Sequence, residues 1–93
     1  MRLDEGQRRA WCVVLHRALV EIRIVAFQGK CEQAYDLADA VHNIPIYLDS
    51  PDFDWAMAVY CLRQYHAKYP RLEGDVFDYL ALLGEDGSRI PGE

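Results

Sequence analysis

The sequence predicts an all-α domain, a four-helix bundle-like fold built on an N-terminal antiparallel helical hairpin. Apolar residues recur at steps of three and four along most of the chain, and prolines and glycines fall at the ends of those stretches. No stretch alternates with the period of two that a half-buried strand needs. With 93 residues, 52% of them hydrophobic and 27% charged, the chain has the length for one core and the apolar content to fill it. The expected organisation is a single helical domain over residues 1–84 and a flexible C-terminal tail over 85–93, where glycines, a proline and charges follow no period.

The first helix is expected over residues 4–28, opened by the acidic pair Asp4 and Glu5 and stopped by Gly29. On a helical wheel Trp11, Leu15, Ala18, Ile22 and Val25 form a core seam, broadened by Cys12, Val14, Leu19 and Ala26. Val13, Val20, Ile24 and Phe27 make a second apolar stripe, leaving a polar strip of Arg17, Glu21 and Gln28 with Arg23 isolated. A helix apolar nearly all round is buried on more than one side. Three short companions would have to wrap it completely, so the second stripe is expected to bury itself against another copy, giving a homodimer.

The second helix is expected from Lys30 to Asn43, with Ala34, Leu37, Ala38, Val41 and Ile44 inward and Glu32, Asp36 and Asp39 outward. Pro45 then ends it, because the residue before proline is pushed out of helical angles. Residues 43–51 read as a connector with room for one turn around residues 46–48. Ser50 as cap and Pro51 as first helical residue would start a third helix reaching Tyr69, with Trp55, Val59, Leu62, His66 and Tyr69 as its seam and Phe53, Met57 and Tyr60 as a weaker flank. A last short helix over residues 73–83 turns Val76, Phe77, Leu80 and Leu83 inward.

The net charge of −5 is unevenly spread: residues 1–30 carry six Lys or Arg against three Asp or Glu, and residues 31–93 carry four against twelve. A nucleic-acid partner needs a clustered basic face, and most of this surface would repel phosphate. Arg8, Arg9, Arg17 and Arg23 are the one basic group, expected to pair with nearby acids on the helix surface rather than to hold DNA. His16, Arg17, Glu21 and Arg23 interrupt the apolar stretch of the first helix, so it is not expected to span a membrane, and a cytoplasmic location follows. Cys12, Cys31 and Cys61 form no disulfide framework and are expected to be reduced, buried and inert.

Candidates for chemistry are thin. Cys12 and His16 stand four apart, and Asp36, Asp39 and His42 recur at steps of three, a spacing used by carboxylate and histidine ligands in di-metal bundles. Such sites need the pair twice and further inward carboxylates, so His42 and Asn43 are expected instead to close the helix by bonding its last carbonyl groups. His66 among apolar neighbours reads as a core-edge imidazole more readily than as a tuned base. No cofactor is expected. The aromatics say more: Tyr47, Phe53, Tyr60, Tyr65 and Tyr79 lie among Asp49, Asp52, Asp54 and Asp78, a composition suited to aromatic anchors ringed by carboxylates that bind a basic protein.

The run from Ala18 through Arg23, then Gln28 and Gly29, then Leu37-Ala38-Asp39-Ala40-Val41-His42-Asn43-Ile44-Pro45, resembles a family of small uncharacterised bacterial helical proteins. The resemblance spans residues 18–45 and brings no catalytic residue with it. It implies a neighbourhood of toxin-neutralising immunity proteins. The function expected is therefore a non-enzymatic protein-interaction domain, self-associating through Val13, Val20, Ile24 and Phe27 or meeting a partner through Tyr47, Phe53 and Tyr60. The alternatives are an acidic immunity protein and a metal-binding protein or enzyme using Asp36, Asp39 and His42.

Overall fold

A computed structural model describes residues 3–69, and the helix expected over 73–83, the tail over 85–93, Asp78 and Tyr79 lie outside that range. The described residues form α1 (Glu5–Phe27), α2 (Cys31–Val41), α3 (Ile44–Tyr47) and α4 (Trp55–Lys68), with no strand among them. The chain is mostly helical, with α1 packed on α2, α2 on α4, and the short α3 against α1.

Each helix boundary has a local chemical cause. At the start of α1 the Asp4 carboxylate accepts from the Gln7 N–H at 2.8 Å while Gln7 Oε1 accepts from the Asp4 N–H at 2.9 Å. This reciprocal pair satisfies two donors that the first turn leaves without helical partners. At the other end Gly29 takes φ +80°, with its N–H on the Ala26 carbonyl and the Lys30 N–H on the Val25 carbonyl, both at 3.0 Å. That pair of bonds reverses the chain into α2. A Cβ at Gly29 would touch nothing, so the cost of Gly29→Ala is backbone strain alone. We expect about 1–2 kcal/mol lost in urea unfolding, with Gly29→Asn milder.

Two boundaries depart from the sequence reading. The third long helix starts at Trp55 rather than Pro51, because Asp54, not Ser50, supplies the cap: its Oδ1 accepts from the Met57 N–H at 3.0 Å. Ser50 Oγ instead accepts from the Asp52 N–H at 3.4 Å, holding the bend that precedes the helix. The connector holds a helical turn at Ile44–Tyr47, and Pro45 sits in its first turn, where no N–H is needed, instead of ending α2, which stops at Val41.

The core gathers Trp11, Val14 and Ala18 from α1, Leu37 and Val41 from α2, Ile44, and Trp55, Val59 and Leu62 from α4. The buried face of α1 is rotated from the one expected. Cys12, Leu19 and Ala26, expected inside, are exposed, whereas Glu21, expected on the polar strip, is only 2% exposed. In α4 it is Tyr65, not His66, that completes the buried seam.

What draws Glu21 inward is a polar network joining three helices. Gln33 Nε2 donates to Tyr65 Oη at 2.9 Å in the interior, and the Tyr65 hydroxyl hydrogen-bonds in turn to Glu21. Burial, then the Glu21 carboxylate, push the Tyr65 phenol well above its usual range. Buried polar groups are tolerated when they satisfy one another, and here one member comes from each of α1, α2 and α4.

Candidate functional site: an acidic, aromatic groove between α2 and α4

A groove of about 860 Å³ opens between α2 and α4 and is closed at one end by α3 and the bend before α4. Asp36, Asp39 and Ala40 come from the α2 side, Met57, Tyr60, Cys61 and Gln64 from the α4 side, and Tyr47, Asp52 and Phe53 from the closed end. Tyr47, Met57 and Tyr60 all leave substantial apolar area in water.

The aromatic lining is anchored to the core. Trp11 meets Trp55 with ring centroids 4.6 Å apart, Trp55 meets Phe53 edge-on at 4.7 Å, and Phe53 stacks on Tyr47 at 4.6 Å with the planes 9° apart. Four rings thus run from the interior to the groove mouth. Tyr47 is held in place by packing rather than by its own short helix, and a fixed ring loses little rotamer entropy when a partner covers it.

At the other end of the groove a cation is already bound by the chain itself. Lys68 Nζ lies 3.1 Å from Asp36 Oδ2, 3.4 Å from Glu32 Oε1 and 5.1 Å from the centre of the Tyr69 ring. Tyr69 Oη donates to the same Asp36 oxygen at 2.5 Å. The Tyr69 hydroxyl first and Lys68 second hold the Asp36 carboxyl below its ordinary value, while Asp36 raises both Lys68 and Tyr69.

A carboxyl lowered on folding contributes stability that is present above its unfolded value and is lost as pH falls through the folded one. Asp36→Asn should therefore lower stability modestly at neutral pH, since the pair is largely in water, and the two profiles should converge below about pH 4, so that the variant's acid side is flatter. Thermal midpoints of both proteins across that range provide the check, and parallel acid limbs would contradict the assignment.

The remaining carboxylates of the groove, Asp39, Asp52 and Asp54, have no cationic partner among the described residues. The end at Tyr47 and Phe53 therefore offers the same chemistry that holds Lys68, aromatic faces beside carboxylates, with no cation supplied from among the described residues.

Of the residues expected to meet a partner, Tyr47, Phe53 and Tyr60 are brought together on this groove. Tyr65 also lines it, but its ring is buried and its hydroxyl is taken by the network behind. Asp49, expected in the carboxylate ring, instead pairs with Arg8 at 2.5 Å, and Asp36 and Asp39 take part in its place. On α1, Val13, Val20 and Ile24 are half-buried and Phe27 is 94% exposed, so that stripe divides between a covered flank and one bare ring.

The metal alternative finds little geometry. Asp36 is engaged by Lys68 and Tyr69, and His42 Nδ1 donates to the Asp39 carbonyl at 2.7 Å, the helix-closing role expected of it. Among the described residues no three His, Cys, Asp or Glu side chains converge as metal ligands would. Cys12, Cys31 and Cys61 are unbridged and, against expectation, all exposed. No described helix is long and apolar enough to cross a membrane.

No family model, curated protein or solved structure matches this chain. The Leu37 to Pro45 run is accordingly read from its own geometry: Leu37, Val41 and Ile44 fill the core, Asp39 and Asn43 face the groove, and His42 closes α2.

Proposed function

We propose that the protein is a non-enzymatic interaction domain whose α2–α4 groove receives a basic segment of a protein partner. The observation that carries this reading is the pairing of exposed, core-anchored aromatics with three carboxylates that have no cationic partner among the described residues. Apolar rings supply contact area and anchor energy, while the charges set orientation, on-rate and choice of partner. An acidic immunity protein masking a basic toxin surface is one role this chemistry suits.

The test is a titration of the isotope-labelled full chain with an arginine-rich peptide, followed by backbone amide shifts, with a glutamate-rich peptide of equal length as control. Shifts confined to the groove around Tyr47, Asp52 and Tyr60 are expected. Asp39→Asn with Asp52→Asn should weaken binding about tenfold and reduce its salt dependence. Equal response to both peptides, or shifts scattered away from the groove, would refute the reading.

A second reading, self-association through α1, is favoured by Phe27 at 94% and Leu19 at 54% exposure. Isolated exposed apolar residues are ordinary, but two on one helix beside a half-buried valine and isoleucine flank make a patch.

A further inference from the structure

We infer that the occupant of the groove is a second copy of this chain, which enters with the exposed strip of α1; the inference rests on the groove reading above and names its partner. Arg9, Cys12, His16, Leu19, Arg23 and Phe27 are all exposed and follow one another at steps of three and four, so they line a single side of α1. The carboxylates of α1 are Glu5 in its first turn and Glu21, which is buried. The strip therefore presents two arginines, two apolar anchors and no exposed acid. Arg8 is taken by Asp49, whereas Arg9 and Arg23 make no ion pair among the described residues.

The two surfaces complement one another in both charge and apolarity. One is a helix face with cations flanking Leu19 and Phe27, and the other is a two-helix groove with carboxylates flanking Tyr47, Met57 and Tyr60. An amphipathic helix laid in such a groove is read through anchors at these spacings. Leu19, Arg23 and Phe27 cover about 12 Å of helix, which the eleven residues of α2, about 16 Å long, can accommodate. The strip cannot occupy its own groove, since it stands in solvent on α1. Residues 70–93 are poorer candidates, because they bring two arginines against six carboxylates.

A contact between unlike patches is heterologous, so it leaves one groove and one strip free unless the assembly closes on itself. That property supplies the experiment. The full-length chain is examined by sedimentation, alone and as two exposed-site variants: R23E with F27S, which spoils the strip, and D39K with D52K, which spoils the groove.

The wild type should gain mass with concentration at about 50 mM salt and lose most of that gain at about 500 mM, where screening is several-fold shorter. Each variant alone should remain a monomer, and an equimolar mixture should form a one-to-one complex, because each supplies the surface the other lacks. Melting curves matching the wild type show that the variants fold, and the salt response of the wild type stands without them.

The inference is overturned if the groove variant associates as strongly as the wild type, which would mean α1 pairs with α1, or if the mixture stays monomeric. A wild type that is monomeric throughout but still binds the arginine-rich peptide in its groove overturns the second copy alone. If the peptide also fails to bind, the groove reading falls with it.

Discussion

Replacing Trp11 with alanine is expected to remove about 3–5 kcal/mol of stability, the cost of emptying a large, fully buried aromatic site. Trp11 is 0% exposed and meets Trp55, itself 2% exposed, across 4.6 Å, so neighbours from α1 and α4 would face a cavity that the helices cannot close without moving. Domains of this size are stable by only about 5–15 kcal/mol, and each kcal/mol shifts the melting midpoint by about 4–8 °C. The variant should melt far below the wild type and lose near-ultraviolet dichroism from the paired indoles. Trp11→Phe should cost much less. The indole N–H of Trp11 is buried with no acceptor among the described residues, so removing it relieves a penalty while most of the ring contact remains. Urea unfolding of both variants is the measurement. A loss under about 1 kcal/mol for the alanine variant would mean that the tryptophan pair does not organise the core.

The same substitution bears on the groove, because Trp11 is the inner end of the ring series that ends at Tyr47. The helical class, the start of α1 at Asp4, its stop at Gly29 and the closing role of His42 were all legible from residue type and spacing. Those features depend on local chemistry, in which a side chain and the backbone within a few residues settle the outcome. The grouping of Tyr47, Phe53 and Tyr60 was legible too, since they surround one connector rich in aspartate.

Other features depended on distant partners. A glutamate on a helix is usually solvated, and the Tyr65 hydroxyl that meets Glu21 inside, itself held by Gln33, comes from distant helices. The helix surface offers Arg8 a local acid by spacing alone, yet the guanidinium reaches Asp49, 41 residues away. Asp54 displaced Ser50 as the cap of α4 because both are good capping residues and the choice fell to how the preceding bend packs. The rotation of α1, which exposes Cys12 and Leu19, follows from the same burial of Glu21, since a helix that turns one side inward must turn the opposite side out.

Tyr65→Phe carries the second large expected effect, because it deletes one hydroxyl from the middle of that network and changes little else in shape. The hydroxyl accepts from Gln33 and bonds to the Glu21 carboxylate, which is sealed from water, so the loss leaves buried groups on two helices each short of a partner. Hydrogen bonds to charged groups contribute about 1.5–3 kcal/mol, and a loss in that range is expected at neutral pH. Gln33→Leu should cost less in the phenylalanine background than in the wild type, since its partner is already gone, and a double-mutant cycle measures the difference.

The pH dependence supplies an independent check. A phenol raised on folding contributes stability that is complete below its unfolded value of 10.0 and is lost as pH climbs toward the folded one. The wild type should weaken progressively above about pH 10, and Tyr65→Phe should make that alkaline decline shallower by about one proton, while Tyr69, also raised, keeps its own share. If the two proteins decline in parallel, Tyr65 titrates in the folded chain as it does in water, and the network that turns Glu21 inward and α1's arginine strip outward is not held by this hydroxyl.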